Sequence, residues 1–384
     1  MVSLDMPKRA SALVIGAGII GASVAYNLSK TLPPPIIIVD MMRAGSGSTA
    51  AALGGFRHQF SSRLNVQLSI ESINILEKFN DTMGVDPLIR YDGYLFIAQT
   101  EQSLSMLRYN AEMQRSLGVP VETHSGEEIQ RLFPFYDFSG VLGGNLCYRD
   151  GHALTSAVHQ GYLSKALSLG AQLLENTRVT GMIIDGQTIK GVATNLGTIY
   201  ADRVVISAGA YTAQLGKLAG IDIPVIPQPR KILFTRGVPS NLPNSFPLIV
   251  NVDSTFALGR EQNSIFFSDN RWMIQGFDVD FPSEYDEQVY TEAVRRLPPL
   301  ADLSIGYTVR GLYETTPDAN PIVSECEISG LYCCAGFNGH GFMHAPAVGV
   351  LMSELIKGEK PHLDISEFSL KRFGERGERE FLVI

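Results

Sequence analysis

The apolar positions of the N-terminal segment change period twice within thirty residues. Ser11-Ala12-Leu13-Val14-Ile15 is a short, nearly unbroken apolar run, Ile20, Val24 and Leu28 recur at helical spacing, and Ile36-Ile37-Ile38-Val39 is a second run. Runs of this length suit strands covered on both faces, and the spacing between them suits a helix packed on such a sheet. The pattern predicts strand, helix over 19–32 and strand. Further along, helical spacing is read over Arg63–Met83, Leu104–Leu117, a segment starting near Thr155 and running to Leu169, Glu284–Leu297 and Ala345–Ile356. Strands are read at Tyr91–Ala98, Tyr307–Tyr313 and Gly330–Ala335. Between Ala171 and Val205 short β-rich runs alternate with turns at Asp185-Gly186 and Leu196-Gly197, a small meander that returns through Val204-Val205-Ile206 to the main sheet. Pro224–Asp280 is proline-rich and then β-like, with Trp272-Met273-Ile274-Gln275-Gly276 as its clearest strand, and suggests a second, antiparallel sheet. The class is α/β, with a second part interleaved with the first.

The glycines sit where the period changes. Gly16, Gly18 and Gly21 have GxGxxG spacing at the first strand-to-helix turn, and Asp40 follows the second strand nineteen residues past Gly21. Gly16 permits the tight turn, Gly18 admits a pyrophosphate to the backbone, and Gly21 lets helix and strand pack closely. The helix N-terminus at Ile19 and Ile20 offers free amides and a positive dipole end, and Asp40 is placed to accept from ribose hydroxyls. The unit reads as a dinucleotide site. An acid at position 40 disfavours a 2′-phosphate, which leaves NAD and FAD. The small-residue stretch Ala44–Gly55, ending in Gly54 and Gly55, reads as backbone passing along a cofactor, and Ser207-Ala208-Gly209-Ala210 as a second close-approach turn. Near the C-terminus, Gly336-Phe337-Asn338-Gly339-His340-Gly341-Phe342-Met343-His344 precedes the last helix. A second glycine-rich helix start can stabilise an anionic group such as a reduced flavin, which favours FAD.

Composition narrows the partners. At 384 residues two intimately joined domains are expected, and 45% hydrophobic with 18% charged residues is that of a globular enzyme. A net charge of −8 without a basic stretch argues against nucleic acid, and no apolar run is long enough for a transmembrane helix. Cys147, Cys326, Cys333 and Cys334 form no zinc pattern, so no metal is expected and the thiols are read as reduced and buried. The first ten residues, with Asp5, Lys8 and Arg9, lack a signal-peptide core; the expected compartment is the cytoplasm, or a membrane surface reached through a partner.

With Gly311-Leu312-Tyr313-Glu314-Thr315-Thr316-Pro317-Asp318-Ala319-Asn320-Pro321 upstream of the GFNGHGF run, the chain resembles the D-amino-acid-oxidase-like FAD superfamily over its whole length. Within it, the chain is most similar to sarcosine oxidase, glycine oxidase and the β subunit of dye-linked L-proline dehydrogenase. The resemblance implies a glutathione-reductase-like, Rossmann-type FAD-binding domain (1–85, 145–222 and 318–384). It also implies an α+β substrate domain on an antiparallel sheet (86–144 and 223–317) and oxidation of a carbon–nitrogen bond. By resemblance, Gly16, Gly18, Gly21 and Asp40 match the pyrophosphate and ribose sites, although many relatives carry glutamate at the last. Ser48 and Thr49 match the loop beside the phosphates, Val179 a backbone contact near adenine, Gly209 the second turn, and Gly339, His340, Gly341 and Phe342 the loop at the flavin ring. Arg57 matches an arginine that holds the substrate carboxylate, a role its planar fork suits. Tyr313 matches a tyrosine of the substrate cavity.

Some relatives attach flavin through a cysteine where this chain has Gly311, or a histidine near Ala51; neither residue here is a nucleophile, so noncovalent FAD is expected. Met343 stands where monomeric sarcosine oxidase has a lysine, and Trp272–Phe277, loosely aligned with the segment bearing its oxygen-activating lysine, contains none. A dehydrogenase, or a slow oxidase, is therefore expected. His58 and His344 are candidate proton acceptors. The expected reaction converts a small amino acid such as proline, sarcosine or glycine to its imine. The alternatives are oxidation of a 2-hydroxy acid or glycerol phosphate, and a FAD-binding partner subunit or assembly factor. Electron-transfer subunits or a homo-oligomer are the partners considered.

Overall fold

The structure, a computed structural model, describes residues 8–374 and 379–382. Asp5, used above against a signal peptide, lies outside the described residues. The N-terminal pattern forms strand Ala12–Ile15, helix Ile19–Thr31 and strand Ile36–Val39, with the two strands paired in parallel and Leu13 opposite Ile37. Both strands are wholly buried because alternate residues feed two different cores. Val14 and Ile38 pack with Val24 of the helix and with Val348 and Leu351 of the closing helix Gly341–Ile356. Leu13 and Ile37 face Ile189, Val192 and Ile199 of a three-stranded meander, Val179–Tyr200.

The sheet has six strands, ordered 322–325, 331–335, 204–206, 12–15, 36–39 and 172–174. All neighbours are parallel except the edge pair 322–325 with 331–335. Strand 12–15 lies between 36–39, which follows it directly, and 204–206, which comes late, so the connections diverge at its carboxyl end. Such a switch point leaves a crevice.

A second sheet of eight strands runs in the order 305–315, 226–235, 264–269, 256–261, 248–251, 94–98, 143–147 and 122–125. Its pairs are antiparallel except 248–251 with 94–98, so the expected antiparallel sheet contains one parallel junction. Helix Glu284–Arg296 covers one face, where Tyr285, Val289 and Ala293 meet Leu233, Ile265 and Phe267. The opposite face, bearing Ile232, Phe266 and Leu248, looks across the crevice.

Several elements depart from the sequence reading. Trp272–Gly276 is not a strand and forms no ladder with Ile226–Thr235, whose pairing with 264–269 is confined to Leu233 and Phe234. Trp272 instead packs edge-on against Tyr285, and Gly276 N donates to Pro227 O at 2.9 Å. The helix read over Arg63–Met83 is two helices, Arg63–Glu77 and Phe79–Met83. Ser48–Ala51, read as loop, is a single helical turn. The closing helix begins at Gly341, four residues earlier than its apolar spacing indicated, with Pro346 inside it. That shift brings its first turn to the crevice.

Candidate active site

A cavity of about 650 Å³ fills the crevice, within the range of small-molecule and cofactor sites. One end is the glycine turn. Gly16 has φ +107°, and a Cβ there would lie 2.3 Å from Ser207 O of the second turn; at Gly21 it would lie 1.9 Å from Gly16 O. Gly21 thus sets the helix-to-strand approach from beneath, while Gly16, Gly18, Ile19 and Ile20 line the cavity. No side chain caps the helix at Gly18, so its first amides face open space, apart from Ile19 N, which donates to Thr49 Oγ1 at 3.0 Å. Asp40 also lines the cavity. Its Oδ2 accepts from Ala17 N and its Oδ1 from Met42 N, each at 2.8 Å, so it fastens the glycine turn and keeps acceptor capacity for a hydroxyl. Ser48, Thr49, Gly54, Val179 and Gly209 line the same space.

Beside this turn the closing helix points its N-terminus into the cavity through Gly341, Phe342 and Met343, with no side-chain cap at His340 and with Gly341 packed against Ile20. Gly339, at φ +87°, sits so close to Tyr313 that a Cβ would lie 2.4 Å from its ring. Two neighbouring helix starts without side-chain caps therefore face one cavity. A pyrophosphate suits the first and an electron-rich ring edge the second.

Two arginines stand on the cavity wall. Arg57 is fully buried and lines the cavity, but its donors turn inward: Nη1 donates to Gln59 O, and Nη2 donates to Leu382 O and lies 3.0 Å from His340 Nε2. Its guanidinium lies 3.9 Å from the centroid of the Phe60 ring. Burial lowers its pKa, opposed first by Glu380. Because a guanidinium only donates, His340 Nε2 is the acceptor and its proton sits on Nδ1. Burial and then Arg57 hold His340 well below the usual histidine range, so it is neutral. Arg230, which the sequence reading passed over, lies 4.8 Å from the centroid of the Tyr313 ring and also lines the cavity. Burial raises the Tyr313 phenol above its usual value.

His58 and His344 are corrected as candidate proton acceptors, because neither is among the cavity-lining residues. His58 Nδ1 is 2.8 Å from Asp150 Oδ1, which also accepts from His58 N, while Gln59 Nε2 donates to Asp150 Oδ2. Cys147 approaches this cluster, but Asp150 is already saturated by donors, so it reads as a structural knot. His344 Nε2 lies 3.1 Å from Ser69 Oγ, and burial pushes its pKa down to about 3. The four cysteines are free thiols and buried.

Besides Arg230, the sequence reading missed Tyr94, His152 and Glu314 on the cavity wall. For Arg230 a signal existed: it shares strand parity with Ile232 and Phe234, whose face had to be buried, and a cation on such a face needs a reason.

The family model for FAD-dependent oxidoreductases of the DAO type matches residues 11–355. The chain belongs to this family. The family is one of FAD-dependent amine and amino-acid oxidoreductases, and the cavity fits that cofactor, with glycine turns that leave no room for a Cβ and two helix starts without side-chain caps. Among solved structures, it is similar to L-proline dehydrogenase from P. horikoshii, with 30% identity and TM-score 0.90 over 97% of this chain and all of that one. Glycine oxidase from Geobacillus kaustophilus, at 24% identity and TM-score 0.83 over 95% of this chain and 99% of that one, shares the fold. Among curated relatives, 4-methylaminobutanoate oxidase of Paenarthrobacter nicotinovorans and mitochondrial sarcosine dehydrogenase of Homo sapiens are each 26% identical, over 98% and 97% of this chain. The chain spans about half the length of these curated relatives, 47% and 42% respectively. Among the described residues, no helix is long and apolar enough to cross a membrane.

Proposed function

We propose that this chain oxidises the carbon–nitrogen bond of a small amino acid, with proline, sarcosine and glycine as the leading candidates. The reading rests on one observation: a cavity met by two neighbouring helix starts without side-chain caps, with apolar residues and embedded cations on its wall. The names of the relatives support it, since sarcosine, 4-methylaminobutanoate and proline all place an amine within a few bonds of a carboxylate. FAD, when bound, supplies the hydride acceptor. Residues 1–85, 145–222 and 318–384 hold it in this reading, and 86–144 with 223–317 hold the substrate.

The chain's own residues have separable tasks. Gly18 and Ile20 offer amides to the pyrophosphate, Gly16 shapes the turn and Ile19 is tied to Thr49, with Asp40 on the ribose and Ser48, Thr49, Val179 and Gly209 lining the path. Gly339, His340, Gly341 and Phe342 seat the ring, with Met343 as an uncharged wall. Ile232, Leu248 and Phe266 exclude water, which favours the neutral amine from which the α-hydrogen leaves. His340 is neutral and takes a bond from Arg57, so it orients that guanidinium and carries no proton to the substrate. Noncovalent attachment is supported by Gly311 packing directly on Ala51, where a Cβ would meet Ala51 Cβ at 2.8 Å. The acceptor is proposed to be something other than O2, or O2 slowly.

Anaerobic titration of the FAD-loaded protein with L-proline, sarcosine, glycine, L-lactate and glycerol 3-phosphate tests this. Bleaching of the flavin band by an amino acid, with release of ammonia, a primary amine or a cyclic imine, is the expected result. Bleaching by lactate or glycerol phosphate alone moves the chain to alcohol chemistry. Silence towards every compound, with a copurifying partner, would assign it to the accessory role.

A further inference from the structure

We propose that Arg230 is the anchor for the substrate carboxylate and that Arg57 is a fastener of the fold. The proposal deepens the amino-acid reading above and rests on it. Both guanidiniums line one cavity, but their surroundings differ. Arg57 has three inward acceptors, Gln59 O, His340 Nε2 and Leu382 O, and the carboxylates of Glu380 and Asp150 in its field. Arg230 has only its own strand, with Nη1 donating to Pro229 O and Nη2 to Gln228 Oε1, each at 3.0 Å. Its Nε is shielded from solvent and meets no acceptor among the described residues, which is true of Arg57 Nε as well; the two differ in the partners of their Nη groups and in the carboxylates near Arg57.

The neighbouring cations make the contrast sharper. Lys231, one residue on and facing the opposite side of the sheet, reaches Asp286 at 2.5 Å, and Arg310 across the ladder reaches Asp280 at 2.6 Å. No carboxylate among the described residues pairs with Arg230. A shielded guanidinium without an anion is costly, and the cost is recovered if a ligand supplies one. The ring of Tyr313 holds the guanidinium plane from one side, and Gln228 steadies Nη2. Ile232, Ser268 and Phe266 line the same cavity as Arg230. A carboxylate is the ligand chemistry that fits: it is planar, accepts parallel bonds, and is present in every amino acid proposed above.

The test uses pyrrole-2-carboxylate and its carboxamide, titrated into FAD-loaded protein and followed by the flavin visible spectrum. Arg230→Met keeps the packing stem and removes the charge, Arg230→Lys keeps the charge and removes the fork, and FAD content is checked for each. The wild type should prefer the carboxylate. In Arg230→Met the carboxylate Kd should rise on the order of 100-fold with the carboxamide Kd within threefold, Arg230→Lys falling between. A general distortion of the pocket would weaken both probes alike, and that result overturns the proposal, as does an unchanged carboxylate Kd or a wild type that binds no carboxylate. The two readings fail separately. Bleaching by L-proline or sarcosine with an unchanged carboxylate Kd in Arg230→Met removes the anchor alone, whereas charge-dependent probe binding without bleaching by any amino acid removes the reaction alone.

Discussion

Single side chains on the cavity wall carry much of the chemistry, and Glu314 is the one with a measurable pH consequence. Its Oε2 is shielded and unpartnered, and burial lifts its pKa from 4.5 to about 7 against the pull of the Gly336 and Phe337 amides. A carboxyl with a raised folded pKa stabilises the fold fully below its unfolded value, and that contribution is lost as pH rises to the folded value. Wild-type stability relative to Glu314→Gln should therefore fall between pH 4.5 and 7 and level off above, by a few kcal/mol at most. Urea titrations of both proteins across that interval, at fixed FAD, check the sign; a rising difference would refute it. Lys231 gives the second expectation at this scale. It is the one lysine among the described cavity-lining residues, and its ammonium is held by Asp286 on the far face. No lysine charge then assists developing superoxide, so stopped-flow reoxidation of the reduced protein by air should be slow compared with a quinone or dye acceptor.

Elements fix where those side chains stand. The opening helix and the closing helix each aim uncapped amides at one cavity, and the sequence showed the first more clearly than the second. Gly16 and Gly21 revealed the first because each lacks the space for a Cβ that the turn geometry forbids. A Gly21→Ala protein should lose FAD affinity by at least ~100-fold or fail to accumulate folded, since the added carbon would sit 1.9 Å from a backbone oxygen. Flavin fluorescence on reconstitution measures it, with Gly181→Ala, away from the cavity lining and with a Cβ that meets only Ala193 Cβ at 3.7 Å, as the control that should bind normally. The closing helix was placed too late because its first turn, Gly341-Phe342-Met343-His344, is read from glycine content as loop. Tertiary packing of Phe342, Met343 and His344 into the core overrides that propensity. Trp272–Gly276 erred in the opposite direction, its local pattern suiting a strand where the structure instead seats Trp272 against Tyr285 and joins Gly276 to Pro227 by one backbone bond.

For the whole molecule, the strap formed by residues 379–382 ties the chain's far end to the segment that carries Arg57. Glu380, 1% exposed, accepts from Ser61 N and Oγ, Ser62 N and Asn65 Nδ2, and Leu382 O accepts from Arg57. Removing the acceptor in Glu380→Ala leaves several buried donors unpaired and should cost ~2–4 kcal/mol, visible as a lower urea midpoint with an unchanged slope. If Arg57 is a fastener, Arg57→Lys should be destabilised in the same assay, because one ammonium cannot serve acceptors on three sides at once.

The sequence by itself determined the parallel unit at 12–40, the dinucleotide turn and the glycine-rich second helix start, because each depends on residues close together in the chain, where periodicity and Cβ-free turns are local properties; the FAD-dependent oxidoreductase class was legible as a family resemblance carried by motifs at both ends. Only the tertiary structure decided which cation lacks an anion, that His58 and His344 are held away from the cavity, and that Asp40 fastens the turn it was expected to serve. Those outcomes depend on Leu382 meeting Arg57, on Asp150 meeting His58 and on strand 226–235 lying beside 305–315. Charge compensation is a property of neighbours in space, and no spacing along the chain encodes which neighbours a buried guanidinium will find.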